Sequence, residues 1–358
     1  MLNPVSRIAA LVVLLTAPSA ALGQAENASV ATGDTGIRSA DPSVIETDDG
    51  FVAVESRNGR ALLVRVAQSL DALPEVRPER IWFDRERLGE VWAPEIMFRH
   101  GRYEVYFTTG IGSDHRMYRI ESSAPAEGYG DAVEILLPDD KWAIDGIPYS
   151  FNGADYFIWS GWQGDEDVQQ DIFIARLNAD GEVEAPRVAI SSPDQPWENI
   201  AGETPTINEG PQPIVDPAGQ LHIVYSANGS WGPNYCLADL RLRAGGDPLD
   251  PAAWSKSDGC LFGANEETLA RGATLAQEAK GVGHHSFILR NGQDEQPGAH
   301  DELRPFLYHG VPAEEEPSNF WAARKWYFGL YRWAPDVAYI STGSTDTGWS
   351  PRFLDKVK

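Results

Sequence analysis

One layout recurs along this chain and restricts what it can fold into: a polar turn containing Gly or Asn, then a strand rich in aromatic and β-branched residues. It appears as His100-Gly101-Arg102-Tyr103-Glu104-Val105-Tyr106-Phe107, as Phe151-Asn152-Gly153-Ala154-Asp155-Tyr156-Phe157-Ile158, and as Pro217-Ala218-Gly219-Gln220-Leu221-His222-Ile223-Val224-Tyr225. Similar runs, among them Phe51-Val52-Ala53-Val54 and Tyr327-Phe328-Gly329-Leu330-Tyr331, fill the chain from Asp41 onward. Short aromatic and β-branched runs bounded by turn residues predict strands. Helical periodicity is confined to Glu266–Lys280, where a helix is expected. The hairpins start about 50 to 65 residues apart, the period of four-stranded blades with substantial loops, and the ordered length divided by that period gives five. The predicted fold is all-β, a five-bladed β-propeller. In such a ring the innermost strand of each blade lines a central channel, so strand ends far apart in sequence converge there.

The N-terminus reads differently. A single charge at Arg7, an apolar run from Ile8 to Leu15 and the small-residue stretch Ala17-Pro18-Ser19-Ala20-Ala21-Leu22-Gly23 predict a signal peptide over residues 1–23. The apolar run is too short for a permanent membrane anchor. Residues 24–37 are small and polar and are expected to be a flexible lead-in, with the propeller occupying 38–350 as one domain. Export to a secreted or periplasmic location follows from the leader. In that oxidising setting Cys236 and Cys260 are the chain's two cysteines, and the sequence leaves open whether they are bridged. The formal charge is -24, and removal of the leader with its one Arg makes it -25. Such a surface repels nucleic-acid phosphates and anionic lipids and suits a neutral substrate.

The five predicted blades open with comparable segments: Asp41-Pro42-Ser43-Val44, Trp92-Ala93-Pro94-Glu95-Ile96, Ala143-Ile144-Asp145-Gly146-Ile147-Pro148, Asn208-Glu209-Gly210-Pro211 and Gly283-His284-His285-Ser286. Glu209 sits among apolar residues just before Gly210 and Pro211, which break the strand. Carboxylates brought to one channel mouth from different blades meet the minimum requirement of a glycoside hydrolase: a general base acting on water and a protonated acid acting on the leaving oxygen.

With Tyr225-Ser226-Ala227-Asn228, Asn234-Tyr235-Cys236 and Leu249-Asp250-Pro251-Ala252-Ala253-Trp254 added, the order and spacing of these segments resemble glycoside hydrolase family 43 over Asp41 to about Trp333. The most similar branch is that of exo-acting arabinofuranosidases that trim α-1,5-linked arabinan. The resemblance implies Asp41 as general base, Glu209 as general acid and Asp145 as the residue that raises the acid's pKa and holds it. An inverting pair leaves room for water, with carboxyl groups about 6.5–9.5 Å apart. The implied partner is a neutral pentose oligosaccharide or polysaccharide, with no nucleic acid and no membrane. A β-xylosidase of the same family and a non-catalytic carbohydrate-binding propeller are the alternatives.

Other residues compete for roles. Glu203 lies six residues before Glu209 but lacks the Gly-Pro that follows it, and Glu95 is expected to be structural. Trp92, Trp162 and His284 are candidate substrate contacts, and Trp159, Trp231 and Trp321 are weighed equally between sugar wall and packing. Adjacent strand residues face opposite ways, so of His284 and His285 only one reaches the channel and the two do not chelate. The family pattern selects His284, which is implied to help hold Ca2+ or another ion through water. No cofactor is required for the chemistry. Near the C-terminus, Glu314-Glu315-Glu316 and the stretch Trp321 to Trp333 depart from the basic-residue pattern of close relatives, which bears on the pocket's outer wall.

Overall fold

A computed structural model describes residues 32–293, 302–335, 339–340 and 348–355. The expected signal peptide and the lead-in as far as residue 31 lie outside the described residues.

The strands form five antiparallel blades. The first holds Ser43–Thr47, Gly50–Arg57, Ala61–Ala67 and Glu79–Phe83; the second Glu90–Arg99, Arg102–Gly110, Arg116–Ser122 and Val133–Glu134. The third holds Ala143–Phe151, Ala154–Gly161, Gln169–Leu177 and Val188–Ser191; the fourth begins Thr206–Val215, Leu221–Ala227, Cys236–Leu242 and Trp254–Ser257. The fifth holds Ala279–Phe287, Arg304–Pro312, Lys325–Pro335 and Trp349–Leu354. The first two strands in each of the first four blades pair through short turns, the hairpin pattern expected from the recurring layout.

Packing between blades makes the core. Val52, Val54 and Val64 of the first blade meet Ile96, Val105 and Phe107 of the second in one buried cluster. A second cluster runs from Met117 through Phe157 and Trp159 to Tyr225, joining blades two to four, and a third joins Ile214 and Phe262 to Phe306, Tyr331 and Phe353. Each blade is thus apolar on the faces it turns to its neighbours.

Three features differ from the sequence reading. Residues 33–37 belong to the fold: Gly33–Asp34 pairs with Phe328 and Tyr327 of the fifth blade, and Ile37 is buried. The C-terminal strand Trp349–Leu354 pairs with the same strand Lys325–Pro335 farther along, so both ends of the described chain close one blade. Glu266–Lys280 is not a helix; it runs through a single 3-10 turn, Glu266–Thr268, into strand Leu269–Leu275 and the start of Ala279–Phe287. Its apolar spacing was too brief to oppose the pairing of Leu269–Leu275 with Cys260–Gly263. A disulfide joins Cys236 to Cys260, tying two neighbouring strands of the fourth blade together.

Candidate active site at the channel mouth

The innermost strands share a local device that aims side chains at the axis. Their ladders break register between Trp92 and Glu95, Ile144 and Ile147, Glu209 and Gln212, and around Gly283 to His285. At or beside each break, and just ahead of the first strand, one residue takes a left-handed conformation: Asp41 at φ 46°, Ala93 at 44°, Asp145 at 57°, Gly210 at 60° and His284 at 33°. Such a bulge rotates the following side chains out of the strand's alternation. Asp and His tolerate this region less well than Gly, so three functional candidates hold strained positions at one place in the ring.

The bulges bring together the three carboxylates singled out in the sequence. Asp41, Asp145, Glu209 and His284 line a cavity of about 770 Å³ at the channel mouth. His284 is its electrostatic centre, with Nδ1 3.6 Å from Asp41 Oδ1 and 3.9 Å from Asp145 Oδ2, and Nε2 3.1 Å from Glu95 Oε1. Burial alone would discharge the ring, but Asp41, Asp145 and Glu95 outweigh it and push its pKa up to about 10. The Gly210 N–H donates to Asp145 Oδ2 at 2.8 Å, which pins the peptide next to Glu209. Gln212 Nε2 donates to Glu95 Oε1 at 2.9 Å, completing a support beneath His284.

The carboxyls diverge in character. Burial raises Asp41, yet the charges of His284 and Arg324 prevail and hold it well below the usual carboxylate range. Its side chain keeps 16% exposure, the most open of the group, while Asp145 and His284 keep 3%. Glu209 goes the other way, pushed up first by burial and also by Asp41. The Tyr235 hydroxyl, which faces it without closing a well-formed hydrogen bond, and the charges of His284 and Arg324 only partly offset that rise. Asp145 is likewise raised, by burial and by Glu209 and Asp41, against the pull of His284. One carboxylate ready to accept a proton and one carboxyl disposed to keep its own therefore share a cavity.

Two residues that sequence reasoning missed complete the Asp41 environment. His309 Nδ1 accepts the Asp41 backbone N–H at 3.0 Å, and Arg324 Nη1 lies 3.8 Å from Asp41 Oδ1. Burial first, then the Arg324 charge, lowers the His309 pKa to about 3, so this ring stays neutral. Arg324 lies inside the stretch from Trp321 that was read as lacking the basic pattern, and it supplies the basic residue there. The Trp-Ala-Ala-Arg run carried that signal, but only the fold places it against Asp41.

The aromatic candidates divide. Trp92 lines the cavity beside Trp142, and it stacks on His115 with ring centroids 4.0 Å apart. Trp162 does not line it; the ring packs behind Trp142 at 4.9 Å and 10°, a buttress rather than a contact surface. Trp159 is buried in the core against Phe173. Trp231 and Trp321 line the outer side of the cavity, and Glu203 sits at its rim, where Oε2 accepts from Trp231 Nε1 at 2.6 Å. Glu203 is off the innermost strand and faces an indole.

Both ring nitrogens of His284 face carboxylates, Nδ1 towards Asp41 and Asp145 and Nε2 towards Glu95, so the ring has no open side for a direct bond to a metal. Among the described residues no group of three or more His, Cys, Asp or Glu is arranged to hold an ion. His285 points to the opposite face, edge-on to Phe287 at 4.7 Å, as strand alternation requires.

The family model for glycosyl hydrolases family 43 matches residues 36–310, a span that includes all five innermost strands. The chain belongs to glycosyl hydrolase family 43. Among its relatives is an extracellular exo-alpha-(1->5)-L-arabinofuranosidase of Streptomyces avermitilis, 30% identical over 295 residues, covering 79% of this chain and 58% of that protein. Alpha-L-arabinofuranosidase 43 of Humicola insolens is 28% identical over 266 residues, 71% of this chain and 52% of that one. The chain thus spans little more than half the length of these curated relatives. The crystal structure of an alpha-L-arabinofuranosidase from Lactobacillus brevis superposes with a TM-score of 0.70 at 24% identity, covering 86% of this family-43 chain and 94% of that one. That likeness establishes the five-bladed propeller fold.

Proposed function

We propose that this chain is a secreted glycoside hydrolase that releases terminal α-L-arabinofuranosyl residues from α-1,5-arabinan or arabino-oligosaccharides, with inversion at the anomeric carbon. The observation that carries the reading is the convergence of Asp41, Asp145 and Glu209 from three blades on one cavity, where Asp41 faces His284 and Arg324 and is held low while burial pushes Glu209 up. In this reading a water oxygen bonds to the anomeric carbon and gives its proton to Asp41. The glycosidic C–O bond breaks with its electron pair on the departing oxygen, which takes the proton of Glu209. Asp145 holds the Gly210 peptide beside Glu209, burial and the charge of Asp41 keep Glu209 protonated, and the imidazolium of His284 keeps Asp41 ionised. The chemistry uses protein side chains and water, with no metal. Secretion is supported by the leader-like residues 1–23 and by the extracellular names of relatives. The neutral substrate agrees with an acidic chain of charge -24.

The sugar is tested by comparing nitrophenyl α-L-arabinofuranoside with nitrophenyl β-D-xyloside. Release from the first and not the second is expected. Preference for the xyloside would replace the substrate assignment, and sugar binding without hydrolysis of either would overturn the catalytic one.

A further inference from the structure

We propose that Trp231 and Trp321 form the leaving-group subsite, the surface that holds the sugar departing with the proton of Glu209. The inference rests on the hydrolase reading and adds where the second sugar lies.

A leaving group must lie beside the proton donor, and blade geometry says which wall that is. Glu209 pairs with Ser226 across the first hairpin of the fourth blade. Trp231 lies just beyond the end of that partner strand, Leu221–Ala227, and Glu203 just before the start of the donor's own strand, Thr206–Val215. Both loops therefore stand at the same end of the fourth blade as Glu209. Trp92 and Trp142 come from the second and third blades and line the cavity from there.

The outer pair is built as a fixed surface. The indole of Trp231 is tied to Glu203 and folds over Gly229, where a Cβ would come within 2.3 Å of the ring. Trp321 stands edge-on to it, with centroids 6.5 Å apart and planes at 84°, and donates from Nε1 to Ser230 Oγ at 3.3 Å. Asn319 caps the one-turn helix Phe320–Ala323 that carries it, accepting from the Ala322 N–H at 3.0 Å. The next residue, Arg324, donates from Nε to the Trp321 carbonyl at 3.3 Å while its Nη1 faces Asp41. Trp321 is nevertheless 53% exposed. An indole with its N–H partnered and its face left open to a cavity presents the flat apolar surface on which the C–H face of a sugar packs.

The test compares α-1,5-arabinotriose with α-L-arabinofuranosyl fluoride, whose leaving atom cannot reach the indoles, in the full chain and in Trp231→Ala, Trp321→Ala and Trp321→Phe. The ratio of kcat/KM on triose to kcat/KM on fluoride is expected to fall about tenfold in each Ala variant, mainly through KM, and to recover partly in Trp321→Phe. An unchanged ratio overturns the subsite, whether both substrates lose equally, as a purely structural role would give, or neither loses. Triose hydrolysis absent alongside normal fluoride hydrolysis in the unsubstituted protein would overturn it as well, and absence of both would remove the hydrolase reading beneath it.

Discussion

His284 sets the proton balance of the site through charge. Its imidazolium lowers the pKa of Asp41, Glu209 and Asp145 together. The proposed base works only when ionised, so the acid limb of a kcat/KM profile follows Asp41. The proposed acid works only when protonated, so the alkaline limb follows Glu209. Removing the cation raises both pKa values. His284→Asn is therefore expected to move both limbs to higher pH, checked by kcat/KM against pH on an activated arabinofuranoside. A profile that stays in place or moves to lower pH would remove His284 from this role. Asp145 and Glu209 interact closely, so the alkaline limb reports the pair rather than either group alone.

At the scale of the strand, the bulge decides which side chains reach the axis. In the fourth blade the left-handed position falls on Gly210, one residue after the candidate acid, whereas in the first, third and fifth blades it falls on Asp41, Asp145 and His284 themselves. A Cβ on Gly210 would lie 3.2 Å from His284 Nδ1, besides the strain of its φ. Gly210→Ala is expected to cost about 1–2 kcal/mol in a denaturant midpoint, with a disproportionate loss of kcat because His284 must shift. A variant of full stability and activity would show that the bulge is not what positions the histidine. The blade openings were legible beforehand because each combines an aromatic or apolar run with a Gly, Pro or acidic break. The segment Glu266–Lys280 was misread because a few apolar residues at helical spacing cannot reveal a strand edge waiting at Cys260–Gly263. Trp162 departs from its expected place for a related reason: an indole at a strand end looks the same in sequence whether it faces a cavity or the back of another indole.

At the scale of the molecule, the site is a product of ring closure. Asp41 comes from the first blade, Asp145 from the third, Glu209 from the fourth, and His284, His309 and Arg324 from the fifth. Parallel pairing of Leu289–Arg290 with Ser43–Thr47 joins the last blade to the first, and Gly33–Asp34 and Trp349–Leu354 share an edge of the fifth. The three carboxylates could be found from their blade-opening segments, but His309 and Arg324 could not. They lie 268 and 283 residues after Asp41 in number, on segments that nothing in the sequence ties to Asp41, and only the closed ring makes them neighbours. Closure also brings the two proposed catalytic carboxyls from separate blades to one cavity, and the proposed inversion requires room between them for the attacking water. The most direct test is the anomeric form of the arabinose first released, followed by proton NMR before mutarotation equilibrates it. Attack by water opposite the leaving group predicts that the β-anomer appears first; initial release of the α-anomer would mean a covalent, retaining path and would contradict the roles assigned to Asp41 and Glu209.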